Sequence, residues 1–153
     1  MTFFKKSKPS GMTGGRPRVK VLSVSKVKKA IQAKLREKAI ERDKTCVIGQ
    51  NGSLLPLNWR VCGERRQDGE IIVQAEHLVG RANSASYGDM DNIVLLCKRH
   101  HFYFKTQHAA LYWDIIRKYI GEKRWAKVQK WEHDHTPHHF VVSEWRALFT
   151  SLQ

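Results

Sequence analysis

The stretch from Ala75 to His101, AEHLVGRANSASYGDMDNIVLLCKRHH, constrains this chain more than any other feature. Two short β-prone runs, residues 71–75 and 93–96, bracket a polar stretch at 81–91 that is rich in Ser, Asn and Gly. Runs of that length, separated by residues that favour turns, read as a pair of strands with a loop between them. An acid–histidine pair, Glu76–His77, ends the first run; Asn92 follows fifteen residues after His77, and His101 nine residues after Asn92.

Each residue type in that order has a task in phosphodiester hydrolysis. The reacting phosphate is anionic and repels nucleophiles, so the reaction needs a base to make hydroxide and a cation to absorb charge on the leaving oxygen. An imidazole suits the first task because it titrates near neutrality. A carboxylate with a second imidazole suits the other, and the pattern predicts that these groups converge across a strand-and-helix hairpin. The bland readings are a surface ion pair for Glu76–His77, a turn-capping residue for Asn92 and an exposed helical histidine for His101.

Around this stretch the chain is organised simply. Its 153 residues suit one domain with appendages. Residues 1–25 mix Lys, Arg, Ser, Gly and Pro without an acid or a sustained period, the signature of a disordered basic arm. From 26 to 44, Val27, Ala30, Ile31, Leu35 and Ala39 recur at helical spacing among charged residues, predicting a basic amphipathic helix. The sequence CVIGQNGSLLPLNWRVCG, 46–63, suits turns and short strands. Beyond the motif the pattern predicts helices at 109–120, stopped at Gly121, and at 122–132, followed by a break at Pro137 and a last helix capped by Ser143 and running to Leu152. Trp113, Trp125, Trp131 and Trp145 fall at apolar helical positions and are expected in the core. The histidines at 133, 135, 138 and 139 read as a solvated linker.

Charge points to a partner. Residues 1–44 hold half of the 28 lysines and arginines but three of the 14 acids, so they carry +11 of the net +14. Such a block binds polyanions by releasing counterions, which makes nucleic acid the expected partner and an anionic membrane surface the competing one. No apolar run reaches the length of a membrane span, and a cytoplasmic location is expected. Three cysteines, Cys46, Cys62 and Cys97, are too few and odd in number for a disulfide framework and suit thiols kept for a metal.

The order Glu76–His77, Asn92, His101 resembles the HNH, or ββα-metal, endonuclease family. The resemblance implies an α+β fold: a small ββα-metal core at about 46–107 with zinc-stabilised turns, flanked by the basic helix and by helices at 108–153. It further implies that His77 activates water, that Glu76 and His101 hold one divalent cation, Mg²⁺ or Mn²⁺ or another transition metal, and that Asn92 ties the loop to the strand and orients the base. Products would carry 5′-phosphate and 3′-hydroxyl ends. The residue before the base is more often Asp or His in this family, and Glu76 departs from that. The basic helix, the cysteine-bearing turn, His77 with Arg81 in the polar loop after it, Asn92, the turn around Cys97 and a helix ending at Tyr119-Ile120-Gly121 give a looser similarity, over residues 26–148, to phage NinG-type recombination proteins, which implies a phage origin and a role in DNA processing.

Many HNH proteins also carry two cysteine pairs around a structural zinc. Cys97-x-x-His100 stands where the second pair would be and Cys62 where the first would end, so the resemblance implies a zinc held by Cys46, Cys62, Cys97 and His100, with neighbouring His100 and His101 serving different metals. Arg81, Lys105, Lys98 and Arg99 flank the motif and are the expected phosphate contacts on DNA. The alternative function is a zinc-containing module that binds nucleic acid without cutting it.

Overall fold

The computed structural model describes residues 23–81, 84–134 and 141–153. Most of the expected basic arm, residues 1–22, and the histidines at 135, 138 and 139 lie outside them.

The first helix, α1 (Val24–Asp43), presents Val27, Ile31, Leu35 and Ala39 to the interior, one residue per turn, with charged residues on the other faces. It begins two residues before the expected start and ends at Lys44, whose φ of 63° halts the helical path. Asp43, at its C-terminal end, is 2 % exposed and acts as a tie: it accepts hydrogen bonds from the Leu95 amide and the Tyr119 hydroxyl, each at 2.9 Å, and pairs with Arg42.

The segment 46–63 forms no strand, contrary to the expectation. It folds into a short helix, α2 (Val47–Gln50), and two 3-10 turns at Gly52–Leu54 and Leu57–Trp59. The cause is steric as well as local: a Cβ on Gly49 would lie 2.3 Å from the Cys62 sulfur, so the chain is folded back on itself too tightly for an extended ribbon.

The two β-prone runs do pair. Strands β1 (Val73–His77) and β2 (Ile93–Cys97) form a two-stranded antiparallel sheet in the register Val73↔Cys97 to His77↔Ile93. Every residue of β2 is buried, as expected of a strand covered on both faces, and α1 packs against it. The polar connection is more structured than a plain loop, since it contains α3 (Ser84–Tyr87) and a 3-10 turn (Met90–Asn92) that Asp89 caps through the Asp91 amide at 2.8 Å. A π-helical turn (Arg99–Phe104) and a short α4 (Lys105–Gln107) follow β2.

Helix α5 (Ala109–His133) is broken at Gly121, where φ 76° and ψ 161° separate two straight halves. That is the expected stop, and Arg117 grips Glu122 across it with two hydrogen bonds of 2.8 and 2.9 Å. Helix α6 (Val142–Ser151) starts earlier than expected. Its N-cap is Val141, not Ser143, because the Glu144 carboxylate accepts the Val141 amide at 2.8 Å and so closes the first turn without a hydroxyl. Trp145 is buried edge-on against Tyr87, with ring centroids 4.9 Å apart, whereas Trp113, Trp125 and Trp131 are half-buried at the margin of the core. The described residues therefore form a mixed α+β fold with one small sheet. No helix among the described residues is long and apolar enough to cross a membrane.

Candidate metal centres

The first centre gathers Cys46, before α2; Cys62, after the second 3-10 turn; Cys97, the last residue of β2; and His100, on the π-helical turn. Their ligand atoms all lie within 4.8 Å of one another. The sulfurs of Cys46, Cys62 and Cys97 are 3.3, 3.9 and 3.2 Å from His100 Nδ1. A tetrahedral zinc with bonds of about 2.3 Å to sulfur and 2.05 Å to nitrogen would set sulfur and nitrogen about 3.6 Å apart, so the cluster is close to the shape the ion requires. The supporting shell is also in place. His100 Nε2 is 2.9 Å from the Trp59 carbonyl, which fixes the proton on Nε2 and turns the Nδ1 lone pair toward the sulfurs. The Gly49 and Gly63 amides donate to the Cys46 and Cys97 sulfurs at 3.5 and 3.4 Å.

The proton chemistry suits a thiophilic ion. Hydrogen bonds from the Cys46 and Cys62 thiols hold Cys97 far below the ordinary thiol range. The same contacts, with burial, push Cys46 far up. Cys62 is drawn down by Cys46 but raised more by Cys97 and burial, to about 11. Burial disfavours a charged His100, yet its contacts with Cys46 and Cys97 outweigh this and carry it to about 10. A dication bound among these groups would displace the protons they hold. This buried Cys₃His cluster can hold a metal such as zinc, and Cys46, Cys62, Cys97 and His100 are its ligand set.

The second centre lies on β1. Gln74 and Glu76 share one face of the strand by its two-residue alternation, and both meet His101. Glu76 Oε2 is 2.5 Å from His101 Nε2, and Gln74 Oε1 is 3.3 Å from His101 Nδ1. Lys105, one helical turn beyond His101, donates to the other Glu76 oxygen at 2.7 Å. Burial would raise the Glu76 carboxyl, but the bonds from His101 and Lys105 outweigh it and leave the group below its usual range, hence ionised. One carboxylate and one imidazole are a donor set that fits a hard or borderline dication with open positions for phosphate and water. A cation bridging them at a right angle with bonds of about 2.1 Å would set N and O about 3.0 Å apart, so the pair must open slightly to admit it.

His77 follows Glu76 but faces the other way, as strand alternation requires. Its ring is 6 % exposed, with Nε2 3.3 Å from the Tyr87 carbonyl and 3.5 Å from the Gln32 side-chain nitrogen on α1. A carbonyl only accepts, so Nε2 carries the proton and Nδ1 keeps the lone pair, with no hydrogen-bond partner among the described residues; Gln32 is then best turned to offer its oxygen. Burial, ahead of the bond to Tyr87, holds the imidazole below its usual pKa. The expected convergence of three groups across the hairpin therefore holds for Glu76 and His101 alone: strand alternation directs His77 to the opposite side, where it is buried against Tyr87 and Gln32.

Asn92 is fully buried where the loop rejoins β2. Its Oδ1 accepts the Val79 amide at 2.7 Å, and its Nδ2 donates to the Val79 and Ser86 carbonyls at 3.1 Å each. It clamps the chain after His77 to the segment carrying Tyr87, the residue on which the His77 ring rests.

Of the four expected DNA contacts, Arg81 is exposed just after β1. Lys98 pairs with Glu64 at 3.0 Å, and Arg99 lies over the Trp59 ring, 4.9 Å from its centroid, and bonds to the Asn58 carbonyl. Lys105 is held by Glu76 in the second centre. The sequence reading missed Gln74, for which the only signal was its place two residues before Glu76, and the exposed pair Phe102 and Tyr103, which adjoin His101 on the π-helical turn. Phe102 stacks on the His101 ring with centroids 4.1 Å apart. Compared with known proteins, the chain matches no family model, no curated protein and no solved structure.

Proposed function

We propose that this protein is a metal-dependent DNA endonuclease of HNH type, with a ββα-metal core formed by β1, β2 and the helical turn after β2. The supporting observation is the meeting of Glu76, from the first strand, with His101, from the helix after the second, at 2.5 Å. A cation held by Glu76 and His101 would absorb the charge that gathers on the departing 3′ oxygen. His77 Nδ1 accepts the proton of the attacking water, while the Tyr87 carbonyl holds the tautomer that keeps this lone pair available. Base and cation must act on one phosphorus from opposite sides, so the reading requires a phosphate at the strand end that both His77 and the Glu76–His101 pair can reach. Asn92 maintains that geometry without touching substrate. Arg81, exposed four residues after His77 and with no hydrogen bond or ion pair among the described residues, is assigned to phosphate. The reading carries with it a structural zinc in the Cys₃His cluster, and a phage origin with a role in DNA processing.

The second reading, a zinc-containing module that binds nucleic acid without cutting it, is favoured by a separate observation. Among the described residues the Cys₃His cluster is the one group of three or more ligand residues close enough to hold a metal. Incubating supercoiled plasmid with the full chain and Mg²⁺, Mn²⁺ or EDTA separates the two. The endonuclease reading expects cation-dependent nicking that His77→Ala abolishes while DNA binding persists; nicking that survives His77→Ala in protein free of contaminating nuclease rejects His77 as base.

A further inference from the structure

The Glu76 carboxylate already has a cation. Lys105 and His101 are four residues apart on one face of the helical segment after β2, and they divide the carboxylate between them: His101 Nε2 on Oε2 and Lys105 Nζ on Oε1. The contact is sheltered, with the Glu76 side chain 11 % and the Lys105 side chain 32 % exposed, so solvent screens it less than a surface pair. The lysine stem also has somewhere to go. The ammonium lies 5.6 Å from the ring centroids of both Tyr112 and Trp113, aromatic faces that attract a cation leaving the carboxylate.

We infer that Lys105 is a tethered competitor for the metal: its ammonium sits on Oε1 of the carboxylate whose Oε2 meets His101, beside the place that a cation bridging Glu76 and His101 would take, and it weakens the binding of a divalent ion until it moves away. This rests on the endonuclease reading, in which Glu76 and His101 are the metal ligands. A carboxylate can serve a metal with one oxygen and an ammonium with the other, but the dication is repelled by the ammonium beside it, which also draws electron density from the carboxylate. An anionic phosphate offers the released ammonium a new partner. Substrate and metal therefore bind together better than either binds alone, and the free protein holds its catalytic cation weakly.

The test reads metal binding with no DNA present. Mn²⁺ is titrated into the full chain, with free ion followed by its electron paramagnetic resonance signal, for the wild type and for Lys105→Met, Lys105→Arg and Glu76→Gln. Methionine keeps the stem and removes the charge, and a far-UV circular dichroism melt verifies that each variant folds. The inference expects Lys105→Met to bind Mn²⁺ about tenfold tighter than wild type, the size of one charge-assisted hydrogen bond removed from the competition. Lys105→Arg should stay near wild type, and Glu76→Gln should lose the site. If Glu76→Gln abolishes binding but Lys105→Met binds no tighter than wild type, the lysine does not compete; the inference falls and the endonuclease reading stands. If Glu76→Gln leaves Mn²⁺ binding unchanged, the pair does not hold the cation, and both fall.

Discussion

Replacing Asn92 tests the link between the hidden clamp and the candidate site. The side chain is 0 % exposed and makes three hydrogen bonds, one accepted from the Val79 amide and two donated to the Val79 and Ser86 carbonyls. Asn92→Ala removes all three bonds: the Val79 amide and carbonyl lose this partner, while the Ser86 carbonyl keeps the Asp89 amide at 3.2 Å. At roughly 1 kcal/mol net for each, with partial relaxation or entry of water, the loss is about 3 kcal/mol. For a chain of this size that lowers the melting temperature by about 6–12 °C. Asn92→Asp separates hydrogen bonding from volume. It keeps the acceptor for Val79 but aims a carboxylate at two carbonyl oxygens, so burial and repulsion raise the pKa of the new group above its unfolded value. A group raised on folding stabilises below its unfolded pKa and loses that contribution as pH rises through the folded one. The deficit of Asn92→Asp against wild type should therefore be smaller at pH 4.5 than at pH 8, while that of Asn92→Ala stays flat. Thermal unfolding at the two pH values decides this. An Asn92→Ala protein that melts within a degree of wild type, or an Asp variant with no pH dependence of its deficit, refutes the clamp.

Two further outcomes follow from the centres. The Cys₃His cluster ties the turn before α2, the loop at Cys62 and the end of β2 to the π-helical turn, so elemental analysis should find one tightly held zinc per chain. Its removal by a strong chelator should abolish the cooperative melt, since structural zinc binding, about 10–16 kcal/mol, rivals the whole stability of a domain. Because burial holds His77 below its ordinary pKa of 6.5, the base stays unprotonated into mildly acidic solution, and the acid limb of nicking should fall below pH 6.5; a limb above pH 7 contradicts the buried, neutral base.

What was legible in the sequence was what local pattern encodes. The α1 stripe of Val27, Ile31, Leu35 and Ala39 and the stop at Gly121 needed only helical spacing and a glycine. The two apolar runs were visible as strands, though the first was placed two residues early because Glu76 and His77, both buried, look like surface residues. Segment 46–63 misled because its turn residues suit hairpins and 3-10 turns equally; Cys62, packed over Gly49, decides between them. The Ser143 cap misled because a carboxylate from Glu144 did the work expected of a hydroxyl.

The sequence alone determined which metal-binding residue types are present and in what order, and that His100 and His101 meet different partners, because neighbours on a helix cannot face the same way. Tertiary structure decided what those groups meet. That Gln74 braces His101, that Lys105 occupies the Glu76 carboxylate, that Asp43 ties α1 to β2 and α5, and that His77 rests on the Tyr87 carbonyl are contacts between residues 10 to 76 positions apart, apart from the four-residue step from His101 to Lys105. Side-chain alternation and helical pitch say which way a residue points. Only the packing of one element on another says what charge or oxygen waits there, and that is what sets the protonation of a side chain and the partners its polar atoms find.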